Sequence, residues 1–449
     1  MERIFEKKVV KFGGSSLASA EQFKKSADII KAEESRRFVV PSAPGKRCGN
    51  DTKVTDLLIS CYKKSASGED WSADFAEIKS RYNDIISGLG LNVSLDAEFE
   101  VISENLKKGT TQDYTASRGE YLNGIILANY IGYEFVDAAE VIFFDAEGRF
   151  DADKTNEVMS KRLADVKNAV VPGFYGSSPD GSIKTFSRGG SDITGAIVSR
   201  AVCADIYENW TDVSGFLMCD PRIIDDPRPI SIITYRELRE LSYMGASVLH
   251  EDSIFPVKVA GIPINIRNTN RPEDSGTLIV PSAEGYNSGD LITGIAGKKG
   301  FAIIRIEKDM MNQELGFGMR VLKVFADRGI PFEHLPSGID TMCVVINEND
   351  IKDIEDEIIT DICKAVNPDH IDISHSIGLI AIVGRNMAGT PGTAARIFSA
   401  LARVGVNIRM IDQGSSELNI IVGVEEKSFN RAIKSIYLEF CIEYELQDC

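Results

Sequence analysis

From Val9 to about residue 281, short apolar strands alternate with amphipathic helices, a rhythm that leaves few folds open. Val9-Val10-Lys11 reads as a strand, and Phe12-Gly13-Gly14-Ser15-Ser16 as a tight turn. A helix follows, opened by Ser19 three residues before Gln22 in capping-box spacing, with Phe23, Ala27 and Ile30 as its apolar stripe. Phe38-Val39-Val40 is the next strand, and Val54 to Leu58 opens a second helix. Further along, Ala169-Val170-Val171 is a strand, Ser178-Pro179-Asp180-Gly181 a hairpin-type turn, Ile193 to Val202 a helix and Ile206 to Trp210 a strand. Such alternation implies a mainly parallel sheet with helices on both faces.

At 449 residues the chain has the length of about three domains. The turn-rich stretch 282–290 reads as a linker. Beyond it lies an internal repeat: Phe301-Ala302-Ile303-Ile304 matches Leu379-Ile380-Ala381-Ile382, and Val321 to Phe332 matches Ile397 to Ile408. Each helix of the pair is followed by a glycine, Gly329 or Gly405, placed as a helix stop. Ile351, Ile354, Ile358 and Ile362 make one helical face, a core stripe. The C-terminal third is therefore two small α+β units.

A net charge of −17 argues against a nucleic-acid partner, which needs a basic footprint. The eight cysteines never form a C-x-x-C pair and the four histidines are scattered, so zinc-ligand spacing is absent. The N-terminus lacks an apolar signal region, and no apolar run approaches a membrane span. Cytoplasmic localisation with reduced thiols is the expectation.

Several motifs are candidates for chemistry. In Lys11-Phe12-Gly13-Gly14-Ser15-Ser16, paired glycines after a strand let backbone amides approach a phosphate, and Lys11 adds a full charge. Arg188-Gly189-Gly190-Ser191-Asp192 sets an arginine, two glycines, a hydroxyl and a carboxylate at a helix start, where Asp192 could equally be an N-cap. Ser117-Arg118-Gly119-Glu120 fits a helical capping box in its own right. Thr211-Asp212 and Asp220-Pro221-Arg222 follow a strand and suit either nucleotide contacts or plain turns.

Taken in order with Gly245 to His250, these motifs resemble aspartokinase, and the repeat looks like tandem ACT domains. The resemblance implies a three-layer α/β/α amino acid kinase fold over residues 1–285, with a mainly parallel sheet. Two α+β, ferredoxin-like ACT domains would follow at 296–376 and 377–449, their interleaving left open. It implies ATP-dependent phosphorylation of the side-chain carboxylate of L-aspartate, with ATP and Mg²⁺ as cofactors and the metal held mainly by the phosphates.

By the same resemblance Lys11 neutralises the transferring phosphoryl group, Asp192 orients Lys11, and Gly13, Gly14 and Gly190 supply backbone donors. Arg188 would hold the substrate α-carboxylate and Glu120 its ammonium, with Ser42, Thr55, Gly189 and Ser191 lining the aspartate pocket. ATP would be bound by Lys11, Gly13, Gly14, Ser15, Thr211, Asp212, Arg222 and Ser247; many family members have a lysine where this chain has Ser247. Met311, Phe317, Gly318, Phe332, Glu333 and Ser337 resemble the effector segment of lysine-sensitive members, with Glu333 facing the lysine ammonium. The alternative is that Phe317 and Phe332 are plain core and Glu333 a solvated charge. ACT sites between chains imply a homo-oligomer.

Overall fold

The computed structural model describes residues 6–187, 189–246, 249, 254–286 and 289–441. The chain divides into two compact units: Met1–Phe216 with Pro229–Tyr235 and Val248–Ser288, and Leu217–Arg228 with Arg236–Ser247 and Gly289–Cys449.

In the first unit, β1 (Lys8–Phe12) is buried along its whole length, as a strand covered on both faces must be. After the glycine turn comes α1 (Ala20–Lys31), where Ser19 accepts the Gln22 amide as its N-cap. Strand β2 (Arg36–Pro41) returns parallel to β1. A helical layer follows: α2 (Val54–Ser67), α3 (Ser72–Leu89), α4 (Asp96–Lys108) and α5 (Gln112–Ile131). The capping box read at Ser117–Glu120 is not a helix start. Thr111 caps α5, and residues 117–120 are buried in its interior, where the same spacing serves one packed face.

Next are β3 (Glu134–Phe135), α6 (Ala138–Val141), α7 (Ala152–Ala164) and β4 (Ala169–Val170). Strands β5 (Tyr175–Ser177) and β6 (Ile183–Thr185) form the hairpin expected around Ser178–Gly181. They lead to α8 (Gly190–Ala201) and β7 (Ile206–Thr211). Strand β8 (Ile232–Thr234) precedes α9 (Tyr235–Tyr243), which carries the chain into the second unit. Helix α10 (Phe255–Ala260), β9 (Ile264–Asn268) and β10 (Thr277–Val280) complete the first unit.

These strands make one eight-stranded sheet in the order β3-β4-β2-β1-β7-β9-β10-β8, parallel except between β9 and β10. Phe12 and Trp210 stack across β1 and β7, ring centroids 6.1 Å apart, in the core cluster that also holds Phe23, Ile30, Tyr82 and Phe99. The chain runs from β1 to β2 on one side and takes up β7 on the other. The crevice at the carboxyl ends of β1, β2 and β7 is thus a topological switch point, where open α/β sheets bind ligands.

The second unit is built on a five-stranded antiparallel sheet, β12-β11-β13-β15-β14. In chain order it comprises β11 (Gly294–Glu307), α11 (Phe317–Ala326), β12 (Thr341–Asn347), α12 (Glu355–Val366) and β13 (His370–Val383). The same rhythm recurs in α13 (Thr393–Arg403), β14 (Ile408–Asp412), β15 (Asn419–Glu425) and α14 (Phe429–Cys441). The repeat is structural: Gly329 and Gly405 follow α11 and α13 at φ of 69° and 63°. The long strands β11 and β13 belong to both halves. Gly294–Lys298 pairs with Leu379–Val383, while residues 301–307 pair with β12 and with the start of β13. The isoleucine stripe is core, with Ile351, Ile358 and Ile362 fully buried against Phe317, Val321 and Phe325. Among the described residues no helix is long and apolar enough to cross a membrane.

Candidate active site

The parallel register sets Lys11 of β1 opposite Asn209 of β7, so both side chains leave the same face of the sheet. On that face lies the N-terminal turn of α8. Lys11 Nζ is 2.6 Å from Asp192 Oδ1 and donates to Asn209 Oδ1 at 3.4 Å. Asn209 Nδ2 in turn donates to Asp192 Oδ1 at 2.8 Å. The expected partnership of Lys11 with Asp192 is present, and Asn209 closes it into a triad. The N-cap reading of Asp192 does not hold: Gly189 caps α8, at φ 57°, and the Asp192 side chain turns sideways to the lysine. A left-handed cap costs least at glycine, which explains that residue of the motif.

Close backbone approach explains the other glycines. A Cβ on Gly190 would lie 2.4 Å from the Phe174 ring, and one on Gly173 2.5 Å from Ser191 Oγ. Phe174 itself has φ 82°, and its amide donates to Thr194 Oγ1, which donates to Gly190 O. The post-β4 turn is thereby fastened to α8, whose N-terminus gives the crevice a positive end.

A cleft of about 210 Å³ opens here, lined by Lys11, Ser42, Thr55, Glu120, Ser191 and Asp192 together with Gly189, Gly190 and Phe174. Ser42 is held by its amide to Phe12 O and by its carbonyl to Asn123 Nδ2. Glu120 is buried, and its Oε2 has no hydrogen-bond partner. Desolvation pushes its carboxyl up to about 8, against the pull of the Ala43 amide. A carboxyl so placed gains most from a ligand cation.

The nucleotide residues expected from sequence are less concentrated. Gly13, Gly14, Ser15, Thr211 and Asp212 are not in the cleft lining. The Gly13 amide is not the free phosphate donor expected, because it is spent on Trp210 O at 2.9 Å. Thr211 Oγ1, on the last residue of β7, donates to Asp212 Oδ1. Arg222 belongs to the second unit, where it grips Asp220 and is 88% exposed. Arg188 and Ser247 lie outside the described residues.

Of the residues expected at the effector site, Met311 and Phe317 join the second unit's core, and Gly318 lies against Met342. Phe332, by contrast, is 43% exposed, and Ser337 is at the surface. Burial, together with the Glu333 carboxylate beside it, pushes the Tyr243 hydroxyl up to about 12. Sequence reasoning missed Asn209 and Phe174. The first had a visible signal, an amide inside a strand otherwise fit for burial; the second had none.

The profile of the amino acid kinase family matches residues 6–268, and that of the ACT domain residues 380–440. Aspartokinase 3 of Bacillus subtilis (strain 168) is 40% identical over 451 residues, covering 96% of this chain and 98% of that protein. Chloroplastic aspartokinase 1 of Arabidopsis thaliana is 29% identical over 462 residues, covering 96% and 80%. Among solved structures, the aspartate kinase of Clostridium acetobutylicum superposes with a TM-score of 0.89 at 52% identity, over 97% of this chain and all (100%) of that one. E. coli aspartokinase III, in complex with aspartate and ADP, shares the fold at a TM-score of 0.71 and 22% identity, over 97% and 99%. Full-length identity and the matched kinase and ACT profiles agree with the site, and the chain belongs to the aspartokinases of the amino acid kinase family.

Proposed function

We propose that this aspartate kinase transfers the γ-phosphoryl group of Mg·ATP to the β-carboxylate of L-aspartate at the Lys11–Asp192 cleft, and that lysine inhibits it. The observation that carries the reading is the convergence, in one cleft, of a cation, a helix N-terminus and a buried carboxyl with one oxygen unpartnered. Each answers one part of the reaction.

The aspartate side chain is already ionised at neutral pH, so its oxygen attacks the γ-phosphorus without a general base. The bond to the β,γ-bridging oxygen breaks, ADP leaves, and 4-phospho-aspartate forms. What the enzyme must supply is relief of repulsion between anions and in-line placement. Lys11 and the first amides of α8 face the phosphoryl oxygens, where charge builds. Glu120 takes the substrate ammonium, Ser42 and Thr55 hydroxyls bound its side chain, and Arg188 holds the α-carboxylate. The metal arrives on the nucleotide phosphates as part of the substrate.

Regulation falls to the second unit. Glu333 supplies the carboxylate for the lysine ε-ammonium, beside Phe332 and Ser337 at the surface, and a second copy of the chain completes the site. Trapping the acyl phosphate with hydroxylamine tests the chemistry, with aspartate against glutamate as acceptor. Product with aspartate alone is expected, and Lys11→Ala should lower kcat at least ~10²-fold. Equal product with glutamate would overturn the substrate assignment, and wild-type turnover of the lysine variant would overturn the site.

A further inference from the structure

We infer that Asn209 is a positioning residue for phosphoryl transfer, holding Asp192 and Lys11 so that the lysine ammonium is presented to the cleft. The inference rests on the reading of Lys11 as the cation that meets the phosphoryl group.

Asn209 is 2% exposed, in the middle of a strand buried on both faces. An amide is costly there unless both of its ends are bonded. Both are, and to the same two charged groups: the Nδ2 donates to the Asp192 carboxylate, and the Oδ1 accepts from the Lys11 ammonium. A carboxamide is a neutral fork with a donor and an acceptor side by side. Leucine would fill the space and leave both charges without it, while a carboxylate would lose the donor and add a charge.

The strand holds the helix at a second point. Two residues earlier on the same face, the Tyr207 hydroxyl donates to the Asp192 backbone carbonyl at 3.2 Å. It reaches that far because residue 195 is glycine, where a Cβ would lie 2.4 Å from the Tyr207 oxygen. Strand β7 therefore fixes Asp192 by backbone and by side chain. Lys11 has three N–H bonds; two are committed to Asp192 and Asn209, which leaves the third for the cleft that Lys11 lines. Without the amide, a lone ion pair could rotate about its single contact and carry the ammonium away from the phosphoryl oxygens.

The test uses full-length N209L, N209D and K11A, with ADP release followed from pH 5.5 to 9 and melting temperatures recorded alongside. For N209L we expect kcat to fall about 10- to 100-fold, the range for groups that act through a neighbour, with KM for aspartate unchanged. N209D carries a finer signature. Two adjoining carboxyls share a proton at low pH, and the protonated group then reproduces the donor and acceptor of the amide. N209D should therefore approach wild-type turnover at acid pH and lose it as pH rises, a transition absent from the wild type. Wild-type kcat in N209L, or a wild-type pH profile in N209D, would overturn the inference. If N209L does not fold, the N209D profile decides alone. Full turnover in K11A would bring down the underlying reading instead, whereas an inactive K11A beside normal Asn209 variants would remove only this inference.

Discussion

At the residue scale the most informative group is Glu120. Its carboxyl is buried, keeps an oxygen without a partner, and is pushed by desolvation from an ordinary 4.5 to about 8. Near neutral pH the free enzyme therefore holds it mainly protonated, while a bound ammonium requires the ionised form. Aspartate affinity should rise with pH up to about 8, and binding at pH 7 should release a proton. Calorimetry in two buffers of different ionisation enthalpy measures that proton directly. Stability follows with the opposite sense. The folded value lies above the unfolded one, so the contribution of Glu120 is full below 4.5 and is lost as pH climbs through 8. Glu120→Gln removes that loss. Its melting temperature should gain on the wild type between pH 5 and 9, while its KM for aspartate rises about 10²-fold or more. Parallel melting curves across that range would mean that Glu120 is already ionised in the free enzyme.

At the scale of elements, the glycine turn after β1 is set by the loop after β2. Gly45 N donates to Gly14 O at 2.8 Å, and a Cβ on Gly45 would lie 2.6 Å from the Gly14 carbonyl carbon. That neighbour is backbone and cannot swing aside. The loop is anchored in its turn by buried Arg81, which donates to the Gly45 and Thr52 carbonyls. The Arg47 hydrogen bond holds the Asp51 carboxyl well below its usual range. Gly45→Ala should cost about 1–3 kcal/mol of stability and raise KM for ATP. Gly49→Ala, in the same loop with nothing within 4 Å, is the control expected to do neither. A folded Gly45→Ala enzyme with unchanged KM for ATP would show that this turn does not shape ATP binding. The element scale is also where sequence reading succeeds and fails. Ser19, Gly329 and the Ser178–Gly181 turn were legible because caps and turns are local chemistry. Ser117–Glu120 misled because one spacing serves both a helix start and a buried helix face. Asp192 misled because Gly189 had already taken the cap. Asn209 showed only as an amide in a buried strand, because its role lies in the register of β7 on β1, which pairs it with a lysine almost two hundred positions away.

At the scale of the whole molecule, the question is whether the second unit carries a surface for another copy of the chain. Its surface carries large apolar side chains at high exposure: Leu315 at 92%, Met319 at 69%, Ile339 at 68% and Met310 at 60%. All fall between Met310 and Ile339, the stretch that also holds Met311, Phe317, Phe332, Glu333 and Ser337. Single exposed apolar residues are ordinary, but four this exposed in one short stretch of chain make that stretch the candidate surface for a partner. A second copy of the chain is the occupant that the proposed effector site calls for. Phe332 and Ser337 are exposed within one chain, so a bound lysine would stay half-solvated until another chain closed over it. Assembly and inhibition should then fail together. In Leu315→Glu with Met319→Glu, two charges replace apolar contacts, and the mass measured by light scattering should fall toward that of one chain. The lysine concentration for half-inhibition should rise at least ~10-fold, as it should in Glu333→Ala with assembly intact, since the loss of a desolvated charge partner costs 10-fold or more. Unchanged mass in the double variant would place the assembly surface elsewhere. Loss of mass with normal lysine inhibition would show that one chain holds the entire effector site, and the coupling between chains would then have to run through contacts other than the ligand.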